Sequence, residues 1–149
     1  MKRTAFTMIE LIFIIVILGI LAAVAIPRLS ATRKDANIAK SAMDAATAVH
    51  DMGTYYTSQS HFSYDADSMT NVPLLPESGG SGTIAPNATA RWSYLTDGDN
   101  CVDFNVTGDG NVSVIAGDTS STLCMDIQNA IDSLISNSPH IYGGQAAKF

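Results

Sequence analysis

The chain has 149 residues and a mass of 15.7 kDa, enough for one compact domain beyond any membrane segment. Its formal charge is -6, and from residue 57 onward the bases Arg91 and Lys148 stand against ten carboxylates. That part of the chain repels nucleic acid, whose binding rests on phosphate neutralisation by Lys and Arg, and its frequent Ser, Thr, Asn, Asp and Gly read as a soluble domain behind an apolar start.

The chain opens with a short basic leader, Lys2-Arg3-Thr4-Ala5, and continues as Phe6 to Pro27, apolar without interruption from Leu11 to Ile26 and entered through one carboxylate, Glu10. A helix of about 22 residues rising 1.5 Å each is about 33 Å long and can cross a hydrocarbon core about 30 Å thick. An ionisable group inside such a segment costs about 2.5–3.5 kcal/mol, so Glu10 needs a partner or a purpose. After Pro27 the helix is expected to continue. Ile38, Ala42, Ala45, Val49, Met52 and Tyr56 recur at spacings of four and three, which marks one buried stripe. The result is a helix of about 50 residues whose first half is apolar all round and whose second half is amphipathic. Pro27 predicts a local bend or melted turn, because proline removes one backbone hydrogen bond and clashes with the preceding turn. Arg28, Arg33, Lys34 and Lys40 follow the apolar run, and either meet anionic lipid headgroups or form a solvated helix face.

Gly53 is expected to start the exit from the helix. Residues 57–90, with Pro73, Pro76, Pro86 and the run Ser78-Gly79-Gly80-Ser81-Gly82, read as a long loop region. The sheet signal begins at 91–95 and returns at 101–106, where Val102, Phe104 and Val106 alternate with polar neighbours. Residues 107–111 form a turn and 112–116 lead back, so three strands are the minimum. Leu123, Ile127, Ala130, Ile131 and Leu134 predict one amphipathic helix over 121–136, followed by a tail from Pro139 to Phe149.

The basic leader, the stretch Phe6-Thr7-Met8-Ile9-Glu10-Leu11 and the apolar run behind it resemble the type IV pilin-like family, meaning type IV pilins and the pseudopilins of type II secretion systems. The resemblance covers about residues 1–56 and is most specific over 5–27. It implies a prepilin peptidase that cuts between Ala5 and Phe6 and methylates the new amine at Phe6, and it makes Glu10 the assembly carboxylate. Ala5 departs from the glycine usual before the cut. The implied fold is α+β and pilin-like: a long N-terminal helix packed on a small antiparallel sheet, with a short C-terminal helix. Its parts are a leader at 1–5, a transmembrane and assembly half at 6–27, an amphipathic half at 28–56 and a globular head at 57–149. The implied protein is a structural filament subunit and not an enzyme, held as a single-pass protein of the bacterial inner membrane with its head in the periplasm. Its implied partners are copies of itself, the peptidase, an assembly ATPase and an inner-membrane platform protein.

Charge chemistry is compatible with that reading. After a cut at Ala5 the amine at Phe6 stands at i, i+4 from Glu10 on the same helix face, and a neighbouring subunit shifted along a filament axis would offer its own. Either pairing neutralises the carboxylate in lipid. Counting Lys and Arg, two before the span and four after it, would by itself place the C-terminus in the cytoplasm. The resemblance and the two cysteines point the other way, to an exported head.

Cys101 and Cys124 allow one intramolecular disulfide, closing a loop of about 24 residues for about 3 kcal/mol; the alternative is two reduced core thiols. Asp97, Asp99, Asn100 and Asp103 are an oxygen-rich candidate for calcium, which some pseudopilins bind, weighed against a solvated turn. Their spacing departs from an EF-hand, since cysteine occupies position 101. No other cofactor is indicated. Asn87, Asn105 and Asn111 begin N-glycosylation patterns, the last two with Asp103 and Asp109 two residues upstream. His50, His61 and His140 are accompanied by no nucleophile elbow, phosphate loop or metal spacing, which argues against catalysis. A rival reading takes the first 25 residues as an ordinary signal peptide cut after Ala25, since Ala23-Val24-Ala25 fits the small-residue pattern, and makes the mature chain a secreted or periplasmic binding protein. Glu10 inside the apolar core argues against it.

Overall fold

A computed structural model describes residues 7–78 and 80–143; the leader and the expected cut between Ala5 and Phe6 lie outside the described residues. The elements are α1 (Met8–Gln59), a 3-10 turn (Ala66–Ser68), β1 (Leu75–Ser78), β2 (Thr89–Thr96), β3 (Asp99–Thr107), β4 (Asn111–Ala116), α2 (Thr122–Ala130), α3 (Asp132–Ser136) and β5 (His140–Ile141). The fold is α+β, with a 52-residue N-terminal helix, short C-terminal helices and a five-stranded antiparallel sheet in sequential order β1-β2-β3-β4-β5. Two compact units divide the chain, residues 1–36 and residues 37–149.

In the first unit the helix runs through Pro27 without interruption, so of the expected bend or melted turn the melted turn is absent. In the second unit the predicted stripe is where α1 packs. Ala45, Val49 and Met52 are buried, and Ile38, Ala42 and Tyr56 are partly buried against the same core. Ser41, Ala48 and Gly53 join them, small residues that let other elements approach the helix closely.

Gly53 does not end the helix, which continues to Gln59; it makes a notch in it. A Cβ at Gly53 would collide with the ring of Tyr142, and the Tyr142 hydroxyl donates to the Val49 carbonyl at 3.2 Å. The chain just after β5 is thus seated on α1 through one ring. Gly53→Ala is expected to displace that ring and cost about 1–3 kcal/mol, as overpacking does. Urea unfolding should show most of this cost vanishing in a Tyr142→Ala background; an equal cost in both backgrounds would rule out the notch.

The register places Ala90, Trp92 and Tyr94 of β2 opposite Val106, Phe104 and Val102 of β3, with Val112 and Val114 continuing the row on β4. All are buried, and Tyr94 reaches Asp44 of α1, so this face covers the helix. The expected alternation over 102–106 holds on that face. Cys101 and Asp103 are buried too, because Cys101 is bonded to Cys124 of α2 and Asp103 is held by polar partners. The β2–β3 connection is the two-residue turn Asp97-Gly98, with φ of 53° and 93°. Both are positive, as a type I′ hairpin requires, and glycine adopts that conformation without penalty.

Three expectations are corrected. The loop region 57–90 contains β1, which pairs with β2, and the tail contains β5, which pairs with β4. β1 is an edge strand of four exposed residues that includes Pro76, so no alternation marks it. The C-terminal helix is two helices, broken at Ile131, whose φ and ψ of -108° and 19° depart from helical values while its side chain is buried.

Candidate functional site

Within α1 an 18-residue window is long and apolar enough to cross a membrane, and none of it is buried. Leu11, Phe13, Ile17, Ile20, Leu21 and Val24 point outward in every direction around the helix, each at least 40% exposed. A surface of this kind is not stable in water and marks a membrane or protein contact. Its one carboxylate occupies a defined position. The helix begins at Met8, and the Thr7 hydroxyl accepts from the Glu10 amide at 3.4 Å while the Thr7 carbonyl accepts from the Leu11 amide at 3.2 Å. Thr7 is therefore the N-cap and Glu10 the third helical residue, the positions of a capping box, of which the structure shows the bond to the Thr7 hydroxyl. The Thr7-x-x-Glu10 spacing is the sequence signal of this cap, and it gives Glu10 a place at the helix N-terminus beside the expected assembly role. The helix dipole favours a carboxylate there by about 0.3–1 kcal/mol. That falls short of the 2.5–3.5 kcal/mol that immersion in lipid would cost, so capping alone would leave a membrane-inserted Glu10 in need of a partner.

In the second unit, polar contacts tie residues 37–44 of α1 to the tip of the β2–β3 hairpin. Lys40 Nζ lies 2.8 Å from Asp44 Oδ2, the Tyr94 hydroxyl donates to the same oxygen at 2.6 Å, Ser41 and Thr96 hydroxyls meet at 2.9 Å, and Asn37 donates to Asp97 at 3.0 Å. Burial pushes the Asp44 carboxyl up, but the bonds from Lys40 and Tyr94 outweigh it and hold it below the ordinary range. Burial and Asp44 together push the Tyr94 hydroxyl up.

On the other face of the sheet Asp103, 2% exposed, pairs with Arg91 and accepts from Ser93 Oγ at 2.7 Å and Asn100 Nδ2 at 2.9 Å. Arg91 also meets Glu77 of β1 at 3.1 Å. Of the four calcium candidates, Asp97 sits in the hairpin turn bonded to Asn37, Asp99 opens β3, Asn100 donates to Asp103, and Asp103 pairs with Arg91. Among the described residues no group of three or more His, Cys, Asp or Glu is placed to hold a metal ion. Burial raises the Asp103 pKa, yet the bonds from Arg91, Ser93 and Asn100 prevail and leave it below the ordinary 3.8. A depressed carboxylate contributes stability above its unfolded-state pKa and loses it as pH falls through the folded value. The head should accordingly keep its melting temperature from pH 7 to about pH 5 and lose it below about pH 4. Asp103→Asn should flatten that acid limb, and a limb of unchanged steepness would contradict the assignment.

The predicted disulfide is present: Cys101 and Cys124 are bonded, and no free cysteine remains. Gln128 of α2 adds a bond from its Nε2 to the Cys101 carbonyl at 3.0 Å, so α2 is fastened to β3 twice. Of the glycosylation candidates, Asn105 lies within β3 opposite Arg91 and Ser113, Asn111 opens β4 opposite Thr107, and Asn87 is exposed in a turn with φ of 64°. His50 lies 3.7 Å from Asp51, His61 packs edge-on to Tyr55 and His140 Nε2 is 3.0 Å from the Leu134 carbonyl.

These features define a class: an α+β protein with a long apolar N-terminal helix, a five-stranded antiparallel sheet and a C-terminal helix stapled to it, elements consistent with a pilin-like fold. No family model, no curated protein and no solved structure matches this chain.

Proposed function

We propose that the chain is a structural subunit of a type IV pilus-like filament, either a pilin or a type II secretion pseudopilin. The observation that carries this reading is the single carboxylate, Glu10, in the first turn of a helix whose next sixteen residues are apolar and exposed on all sides. In the proposed pathway a prepilin peptidase cuts before Phe6 and methylates it. The subunit waits in the inner membrane with its head in the periplasm, where the Cys101–Cys124 bond persists. An assembly ATPase and its platform protein then draw it into a filament whose core is made of bundled apolar helices. Its role is mechanical, with no catalytic step.

The test is the N-terminal sequence of the mature protein from the membranes of its own cells. A chain beginning at N-methylated Phe6 is expected. A chain beginning at Ile26 would establish the signal-peptide reading and a secreted or periplasmic protein instead. A chain retaining Met1 would remove peptidase processing, and with it the amine that Glu10 needs.

A further inference from the structure

Arg28 and Arg33 close the apolar part of α1 on its C-terminal side, and both are exposed. Neither guanidinium has a carboxylate partner among the described residues. The two other bases of this stretch differ: Lys40 is held by Asp44 at 2.8 Å, and Lys34 is also engaged. The four cations that the sequence groups together thus reduce to two whose charge is unanswered among the described residues.

Helix geometry fixes where those two charges lie. Met8 to Pro27, within α1, rises about 30 Å and matches a hydrocarbon core about 30 Å thick, with Glu10 inside it. Arg28 leaves the helix where that core ends, and Arg33 follows about 7.5 Å further along the axis. Each headgroup layer is about 5–8 Å deep, so two guanidiniums on flexible stems both reach it. Five residues turn the helix by about 140° beyond a full revolution, so the side chains depart on different sides and one headgroup cannot serve both.

We propose that Arg28 and Arg33 each bind the phosphate of an anionic lipid in the leaflet where α1 leaves the bilayer. The inference rests on the membrane-spanning reading proposed above. A guanidinium presents a planar fork that matches phosphate oxygens bidentately. In a zwitterionic lipid the phosphate is already answered by its own ammonium, whereas in phosphatidylglycerol it is not, which makes the binding selective. The same pairing accounts for two cations on the side of the span where the positive-inside rule disfavours them, since an anionic headgroup supplies their counter-charge. The competing occupant is a carboxylate from the acidic head of a second copy. It is less suited, because a subunit alone in the bilayer meets lipid in this layer before it meets another copy.

The experiment reconstitutes the full chain into phosphatidylcholine vesicles containing a small fraction of headgroup spin-labelled phosphatidylglycerol or, in parallel, spin-labelled phosphatidylcholine. Flotation reports whether the chain inserts, and the motionally restricted spin fraction reports lipid binding. The wild type is expected to float and to prefer phosphatidylglycerol about fivefold at two sites per chain. Arg28→Gln or Arg33→Gln should remove one selective site, and the double variant both, with flotation unchanged and the wild-type preference weakened in 0.5 M salt. A floating wild type without preference, or a preference surviving in the double variant, overturns the inference while the span stands. Preference absent together with zero-length amide cross-links between the head carboxylates of one copy and the lysines of another, lost in the double variant, would assign the arginines to subunit contact and also overturn it. Failure of the wild type to float would overturn the spanning reading itself.

Discussion

Glu10→Ala is expected to abolish filaments while leaving a processed, membrane-resident subunit. On the proposed reading the carboxylate would be penalised in the bilayer by about 2.5–3.5 kcal/mol, and pairing with a neighbour's Phe6 amine on assembly would relieve that penalty. Alanine removes the penalty and the relief together, which shifts the balance toward the membrane by a factor of about a hundred. The capping geometry supplies the necessary control. If Glu10 served only the helix N-terminus, Thr7→Ala, which removes the hydroxyl that accepts from the Glu10 amide, should be as damaging. The cap alone is worth about 1 kcal/mol, so Thr7→Ala should reduce filament yield only slightly. Glu10→Gln, which preserves shape and polarity without charge, should behave as the alanine variant does. The measurement compares sheared filaments with the membrane fraction in cells carrying each variant as the only copy. Wild-type yield from Glu10→Ala would show that the carboxylate has no assembly role.

The second large effect is expected from the disulfide. The bond between Cys101 and Cys124 spans a sequence separation of 23, and both residues are fully buried. Opening that loop should cost about 3 kcal/mol in the chain-entropy description. For a unit of this size that lowers the melting temperature by roughly 10–20 °C. The bond fastens α2 to the second strand of the β2–β3 hairpin, so its loss should release α2 before the rest of the sheet. Cys101→Ala/Cys124→Ala is expected to show this drop, with accelerated amide exchange across 122–130. Denatured, unreduced wild type should carry no free thiol. A double variant that melts with the wild type would show that packing of Ile127 and the Gln128 bond suffice to hold the helix.

Much of this was legible in the chain itself, and for one reason: burial on one face leaves a period in the residues. The spacing of Ile38, Ala42, Ala45, Val49, Met52 and Tyr56 determined which side of α1 packs. Alternation of Val102, Phe104 and Val106 determined the helix-facing side of β3, the unbroken apolar run determined the exposed half of α1, and having only two cysteines left one pairing. Edge strands leave no such mark. β1 and β5 join the sheet through backbone bonds, which any residue but proline can donate, so their side chains carried no signal. The role of Asp103 was decided by a single irregularity of register. Tyr94 pairs with Val102 but Leu95 pairs with Asn100, so Cys101 is an extra residue on β3 with no partner across β2. Without that bulge the Asp97-Gly98 turn would set Asp103 opposite Trp92; with it, Asp103 stands opposite Ser93, on the face where Arg91 reaches it. A carboxylate that the sequence offered to a cation from solution was claimed by an arginine twelve residues away, because a one-residue shift carries a side chain to the other face of a sheet and only the folded chain specifies that shift.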